Sequence, residues 1–267
     1  MKPILVDEQK RIQLDILRKV HHFCECNGLH YTLIFGTLLG AVRHKGYIPW
    51  DDDIDIAMPR KDYEIFVENF RCDNYKVYDY RHEKSYDHPY AKVADVRTLV
   101  KECICMKPIG VNIDVFPFDA LENSYEESVA LTNSLSAIKT KFRIKMLKPS
   151  RKNVWWKRLA IRFLKITVIN KSLKSLAEKE NLLIKSLQSE NAKFSAILTD
   201  SSLKDCIKSI CPSSFLSDYI DIEFEGESFK ALKEYDAWLT NMYGDYMTPP
   251  PDNQKMSPHT IGEVYWI

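Results

Sequence analysis

The sequence lacks any long uninterrupted apolar stretch, although 45% of its 267 residues are hydrophobic. The longest candidate, residues 159–169, is interrupted by Arg162 and Lys165 and falls short of the roughly 18 apolar residues that a membrane-spanning helix needs. The opening residues, MKPILVDEQKRI, also lack the apolar core of a secretory signal peptide. We therefore expect a cytoplasmic protein without a membrane span.

The sequence also lacks zinc-type cysteine spacing and an excess of one charge sign. Seven cysteines include three close pairs, and none has the C-x₂-C spacing of familiar zinc folds, which predicts reduced thiols. These pairs are Cys24 and Cys26, Cys103 and Cys105, and Cys206 and Cys211. With 38 basic and 37 acidic residues the net charge is +1, and no nucleic-acid-binding module is recognisable, so we expect no nucleic-acid partner.

The balanced net charge hides a strongly basic segment. Residues 139–174 contain 13 Lys or Arg, and no Asp or Glu occurs from Ser128 to Ala177. Trp155 and Trp156 stand beside basic residues and an apolar run, a combination that suits the interface of an anionic membrane. We predict that this segment holds the protein peripherally at the inner face of the cell membrane. The alternative is a solvated helical subdomain whose tryptophans belong to its core.

Hydrophobic periodicity divides the chain into three regions. Residues 1–122 alternate between helical and strand-like patterns, residues 123–212 form a mainly helical and basic insertion, and residues 213–267 return to the first region. Within the last region, alternation over 219–225 predicts a strand, and the pattern over 229–242 predicts a helix.

An acidic cluster follows a glycine-containing segment. Glycine is scarce, with eight residues in all, yet three glycines directly precede four carboxylates in five positions. These residues are Gly36, Gly40 and Gly46, followed by Asp51, Asp52, Asp53 and Asp55. On a strand Asp53 and Asp55 point to the same side, and paired carboxylates favour Mg²⁺ or Mn²⁺ with a phosphorylated ligand. A solvated acidic turn is the alternative.

A third carboxylate, Asp114, lies in the apolar run GVNIDVFPFD. If its strand neighbours the first, Asp114 completes a triad that binds metal or accepts the proton of an acceptor hydroxyl. It would otherwise be a strand-end Asp bonded to backbone amides, and Asp119 is a weaker substitute. Basic residues that could meet phosphate oxygens are Arg43, Lys45, Lys92 and Arg97.

The segment GTLLGAVRHKGYIPWDDDIDIAMPRKDYEIF resembles the LicD family of phosphotransferases, part of the nucleotidyltransferase superfamily and related to fukutin-type ribitol-phosphate transferases. HPYAKVADVRT, VNIDVFPFD, FEGESFKAL and YGDYMTPPP extend the resemblance over roughly residues 10–260. It implies an α/β (α+β) fold, with a polymerase-β-like nucleotidyltransferase core, a mixed sheet and an inserted helical subdomain. Gly36 and Thr37 would form the turn before the Asp-x-Asp strand of such a core.

The resemblance also implies an activity. Family members transfer a phospho-alcohol, typically phosphocholine from CDP-choline, to a sugar hydroxyl of a lipid-linked glycan such as teichoic acid or lipopolysaccharide, and release CMP. Asp53, Asp55 and Asp114 would hold the metal, and Asp51, Asp52 or Asp114 would activate the hydroxyl. A choline headgroup needs aromatic faces. Aromatic residues in or beside the matching motifs are Tyr47, Trp50, Phe116, Tyr243 and Tyr246.

Other activities compete with this one. The same fold permits nucleotidyl transfer from CTP or ATP with pyrophosphate as the leaving group, and the donor could be another CDP-alcohol such as CDP-ribitol. A metal-dependent glycosyltransferase would place a nucleotide-binding unit before its Asp-x-Asp motif, and only 52 residues precede Asp53. A non-catalytic membrane-binding module leaves the acidic residues unexplained.

Overall fold

The computed structural model describes residues 1–83, 86, 88–101, 108–147, 155–189, 192–251, 255 and 263–267, and in them the chain has the predicted α+β fold. Its helices are α1 (Val6–Asn27), α2 (Phe35–His44), α3 (Arg60–Asn69), α4 (Tyr125–Ser134), α5 (Ser136–Met146), α6 (Trp155–Ile166), α7 (Leu173–Ser186), α8 (Leu203–Lys208) and α9 (Tyr235–Tyr243). Its strands are β1 (Lys2–Pro3), β2 (Thr32–Leu33), β3 (Asp55–Pro59), β4 (Tyr75–Tyr78), β5 (Ala91–Asp95), β6 (Thr98–Lys101), β7 (Asn112–Ala120), β8 (Phe194–Ala196), β9 (Cys211–Pro212), β10 (Tyr219–Phe224), β11 (Glu227–Leu232) and β12 (Glu263–Trp266).

The main sheet is mixed, as expected, with the strand order β2-β3-β7-β5-β4. Strands β3 and β7 are parallel, whereas β2, β5 and β4 pair with their neighbours in antiparallel fashion. Strand β8 pairs with the far end of β7. The register sets Asp55 opposite Asp114, and Lys92 opposite Asp114 on the other side. The topology therefore gathers three charged residues from distant parts of the sequence.

Helix α1 packs against this sheet through a helical stripe of apolar residues. Ile16, Leu17 and Val20 have no exposed surface, and burial of each side chain contributes about 1.5–3 kcal/mol relative to exposure. The helix ends at Gly28, whose φ of 63° is left-handed, a conformation that glycine adopts at little cost. The apolar stripe of residues 7–27 and the glycine that follows it predict this helix from the sequence alone, and the structure confirms it.

The helix predicted over 229–242 is wrong in its first part. Strands β10 and β11 form an antiparallel hairpin, and α9 begins only at Tyr235. The turn residues Glu225 and Gly226 have φ values of 53° and 76°, as the tight turns of right-twisted hairpins require. The Glu225 carboxylate accepts a hydrogen bond from the Tyr47 amide at 2.9 Å, so the turn anchors the loop that follows α2.

Helices α4 to α7 lie between β7 and β8 in the chain and include most of the basic segment. Lys139 is buried, and its ammonium donates to Glu180 Oε1 at 2.6 Å and to the carbonyl oxygens of Leu198 and Asp200. This lysine is therefore structural rather than a surface charge. Residues 148–154, with three more basic residues, lie outside the described residues.

Candidate active site

The carboxylates of two parallel strands meet at one end of the main sheet. Asp55 opens β3, and Asp114 lies near the start of β7, where its amide donates to Ile54 O at 2.9 Å. The Lys92 ammonium forms an ion pair with the Asp114 carboxylate and donates to Asn112 Oδ1 at 3.1 Å. The structure thus places Asp114 beside Asp55 and adds a cation from β5, whereas Asp53, predicted to share the strand with Asp55, lies in the loop before it.

Negative charge is concentrated around Asp55. Burial raises the pKa of this carboxyl well above its usual range, and the charges of Asp53 and Asp114 raise it further, while Lys92 acts in the opposite direction. A shift of this kind means that the ionised cluster needs additional positive charge or a proton. The site is therefore suited to a cation or to a ligand that brings one.

The N-terminus of α2 faces the same carboxylates. Thr37 Oγ1 accepts a hydrogen bond from the Asp55 amide at 2.8 Å. A Cβ atom at Gly36 would collide with Asp51 Oδ2, so the absence of a side chain allows Asp51 to approach the helix. Phe35, the first residue of α2, has a φ of 47°, which is strained for a residue with a side chain. Backbone amides at a helix N-terminus attract anions, as a phosphate-binding turn requires.

Gln13 of α1 holds the loop that carries Asp51, Asp52 and Asp53 against the sheet. This role was not predicted from the sequence. Its buried amide donates to Asp52 O at 3.0 Å and to Asn112 O at 3.2 Å. The Tyr47 hydroxyl in turn donates to Gln13 Oε1 at 3.3 Å. The sequence feature that could have indicated this role is a glutamine beside the apolar stripe of α1. The Tyr47 hydroxyl, predicted to lie at the site, bonds protein atoms in this position.

The remaining aromatic and basic residues predicted for the site lie at different depths around it. Tyr243 ends α9 with 43% of its surface exposed, and protein packed around its phenol raises its pKa, with Asp55 adding to the effect. Arg43 donates to Tyr246 O at 2.6 Å, and the Tyr246 hydroxyl bonds Asp236. Each of the other three positions is defined by one contact. Trp50 packs edge-on against His44, and the Phe116 ring lies tilted against Tyr90 with 4.1 Å between centroids. Lys45 is exposed, and its main-chain oxygen accepts a hydrogen bond from the Glu225 amide.

Two other predicted residues serve local ion pairs. Arg97 forms a two-pronged contact with buried Asp95 in the turn that leaves β5, at 2.9 and 2.6 Å. Asp119 is buried toward the other end of β7, where Arg60 Nε and Nη2 donate to it at 2.6 and 2.8 Å. Asp119 therefore compensates Arg60, and it is Asp114 that the register brings to Asp55.

A preformed metal cage is not seen in the described residues, since no group of three or more His, Cys, Asp or Glu side chains there is arranged to hold an ion. Cys103 and Cys105 lie outside the described residues. The metal site at Asp53, Asp55 and Asp114 stays a prediction that depends on what a phosphorylated ligand adds.

Comparison with known proteins shows one family-model match and one relative that is similar along nearly the full length. Residues 28–166 match the family model described as "LicD/FKTN/FKRP, nucleotidyltransferase domain". The lipopolysaccharide cholinephosphotransferase LicD of Haemophilus influenzae is 31% identical over 272 aligned residues, which cover 99% of each chain. Shorter similarities link the chain to uncharacterized proteins of Rickettsia typhi (33% over 90 residues, 32% of this chain and 28% of the relative) and Rickettsia prowazekii (38% over 69 residues, 26% of each).

Proposed function

Because the chain belongs to the LicD family of phosphotransferases, we propose that it transfers phosphocholine from CDP-choline to a sugar hydroxyl of lipopolysaccharide or a related glycopolymer such as teichoic acid, and releases CMP. The observation that carries this proposal is the alignment of Asp55, Asp114 and Lys92 across three adjacent strands. Similarity to a cholinephosphotransferase along the full length supports the choice of headgroup.

Asp53, Asp55 and Asp114 would hold Mg²⁺ or Mn²⁺. The residues fit such an ion because they are hard oxygen donors, and because burial together with their mutual repulsion raises the pKa of Asp55 despite the nearby Lys92. When bound, the ion supplies positive charge for the diphosphate oxygens of the donor.

The chain's own residues would position the donor and move one proton. The α2 N-terminus at Gly36 and Thr37 offers backbone amides to a phosphate, and Lys92 adds a point charge. The attacking sugar oxygen loses its proton to a carboxylate, for which Asp51, Asp52 and Asp114 are the candidates. Its bond to the phosphocholine phosphorus forms as the bond to the CMP oxygen breaks. Holding both reactants in line is the main contribution of such a site.

The donor is tested by identifying the released nucleotide. The purified chain is incubated with Mg²⁺, a lipopolysaccharide acceptor and, in parallel, CDP-choline, CDP-ribitol, CDP-glycerol or CTP. We expect CMP from CDP-choline and little product from the other donors. Pyrophosphate from CTP would show nucleotidyl transfer instead, and CMP from CDP-ribitol alone would show a different headgroup.

We further propose that α6 places the enzyme on an anionic membrane surface, where lipid-linked acceptors are found. Most of its apolar residues are exposed: Trp155 is 72% exposed, Phe163 71% and Trp156 54%. The tryptophans are thus not core residues, and exposed Lys157 and Arg162 share the helix with them. Exposed indole, apolar and basic groups on one helix suit the membrane interface. No helix among the described residues is long and apolar enough to cross a bilayer.

A further inference from the structure

A cavity of about 150 Å³ lies between the segment that precedes β5, helices α5 and α7, and the residues after β8. Its walls are mainly apolar, and a cavity of roughly this volume accommodates a molecule the size of benzene. The lining residues that matter here are His88, Tyr90, Phe142, Met146, Thr199 and Asp200. They come from three separate parts of the sequence.

The cavity adjoins the carboxylate cluster through Tyr90. The Lys92 ammonium, which pairs with Asp114, lies 5.7 Å from the centroid of the Tyr90 ring. The charges of Asp114, Asp55 and Asp200 add to burial in raising the pKa of the Tyr90 phenol, so all three carboxylates are near it. A donor whose phosphates lie at the cluster could therefore extend its headgroup into the cavity.

Aromatic rings form part of the cavity wall. His88 and Tyr90 have ring centroids 5.0 Å apart, and buried Phe142 lies on another part of the wall. His88 is half-buried, and protein packed around its imidazole lowers its pKa to about 3, with Lys92 adding to the effect, so the imidazole is uncharged at neutral pH. Neutral aromatic faces attract cations that carry no hydrogen-bond donors.

A carboxylate in the wall, that of Asp200, forms no ion pair with the described residues, although the charge of the nearby Lys139 acts on it. Burial raises the pKa of Asp200, whose Oδ1 accepts a hydrogen bond from the Ser202 amide at 2.5 Å. Among the described residues no Lys or Arg forms an ion pair with this carboxylate, because Lys139 binds the main-chain oxygen of Asp200 and the carboxylate of Glu180. The other basic lining residue, Arg143, is exposed.

A second lining group also lacks a partner. Thr199 has no exposed surface, and its hydroxyl makes no hydrogen bond with the described residues. An unsatisfied buried hydroxyl costs about 1–3 kcal/mol. Four other buried side chains of the described residues also have an unpaired polar atom, so it is the carboxylate and the aromatic walls that indicate a ligand in this cavity.

We propose that this cavity binds the trimethylammonium group of the donor, with Tyr90 and Phe142 as aromatic faces and Asp200 as counter-charge. The inference rests on the proposed phosphocholine transfer and locates the headgroup between Tyr90 of the HPYAKVADVRT segment and two residues outside the family motifs, Phe142 and Asp200. It distinguishes choline from uncharged alcohols such as ribitol and glycerol, which would leave Asp200 without a positive partner.

The test measures binding of choline, its uncharged carbon isostere 3,3-dimethylbutanol, and CMP to the full chain by calorimetry. Asp200→Asn and Phe142→Leu should each weaken choline binding about tenfold, the size expected of a desolvated cation–π or charge contact. CMP binding should not change, and Asp200→Asn should leave the isostere unaffected. Asp218→Asn and Tyr125→Leu, at exposed positions outside the cavity lining, are the matched controls.

CMP release from CDP-choline is recorded for the same proteins, so that the two proposals can fail separately. Wild-type choline affinity in both cavity variants would overturn the cavity assignment even if the enzyme releases CMP. Choline binding that depends on Asp200, without CMP release, would support the cavity and contradict the donor. If Phe142→Leu does not fold, Asp200→Asn decides, and absence of choline binding to the wild type overturns the inference.

Discussion

Asp114 and Asp119 lie on the same strand and have opposite surroundings. Asp119 is fully buried and bonded to Arg60 and, through Oδ1 at 2.6 Å, to Gln188. Asp114 is half-buried; it pairs with Lys92 on one side and faces Asp55, another carboxylate, on the other. The surroundings of Asp119 neutralise its negative charge, whereas those of Asp114 bring carboxylates together and leave negative charge for a ligand to neutralise. At the residue scale, partner and exposure therefore separate a structural carboxylate from a candidate catalytic one.

Asp55→Asn and Asp114→Asn should each abolish phosphocholine transfer and leave the metal-free fold intact. Removing one member of a repelling cluster relieves repulsion, so the melting temperature of the metal-free Asp55→Asn protein should not fall. Calorimetry should show that Mg²⁺ stabilises the wild type and not this variant, since an ion stabilises only the state that binds it. Near-normal turnover in both variants would contradict the assignment.

Asp119→Ala should act on stability. It leaves the Arg60 guanidinium buried without its main partner, and we expect a loss of about 3–5 kcal/mol in the free energy of unfolding, measured with urea. Replacing both partners, as in Arg60→Met with Asp119→Leu, should recover much of this loss. If Asp119→Ala unfolds like the wild type, the ion pair is not structural.

At the scale of elements, amphipathic pattern predicted α1, which buries one face. It also predicted a strand through Asp53 and Asp55, but β3 begins only at Asp55 and buries Ile56, Ala57 and Met58 on both of its faces. The same pattern misassigned Phe229–Leu232, since a short run with buried Phe229 and Ala231 fits a strand or a helix equally well. What decides is the preceding turn, where Glu225 and Gly226 both have positive φ. Local turn chemistry thus overrode apolar periodicity.

Helix α6 should bind anionic membranes. We expect the protein to co-sediment with vesicles that contain phosphatidylglycerol and not with purely phosphatidylcholine vesicles, and to bind less as salt screens the attraction. Charge reversal at Lys157, Arg162 and Lys165 should weaken binding by about 1 kcal/mol or more per residue that reaches the surface. Turnover on a short soluble acceptor should be retained.

The matched control reverses Lys19, Lys61 and Lys204, which are exposed on helices α1, α3 and α8. This variant changes the net charge by the same amount away from α6 and should sediment with anionic vesicles like the wild type. Equal losses in both variants would reduce the effect to overall charge, and no loss in either would leave α6 a solvated helix.

At the scale of the whole molecule, the sequence revealed the acidic motif and its family because those residues are contiguous. The headgroup cavity could not be predicted in that way. His88 precedes β5, Phe142 belongs to the helical insertion and Asp200 follows β8, so only the folded chain brings them together. Lys139 illustrates the same limit, because its burial beside Glu180 removes one charge from the apparently basic surface.

The most direct test follows the phosphocholine group itself. Lipopolysaccharide lacking phosphocholine is incubated with the enzyme, Mg²⁺ and CDP-choline labelled on the choline methyl carbons, and the purified acceptor is examined by phosphorus and carbon NMR. We predict a new phosphodiester that carries labelled choline, with CMP released in equal amount, and no such product from the Asp55→Asn enzyme. Release of CMP with free phosphocholine would show only hydrolysis, and an unlabelled acceptor with intact CDP-choline would contradict phosphocholine transfer.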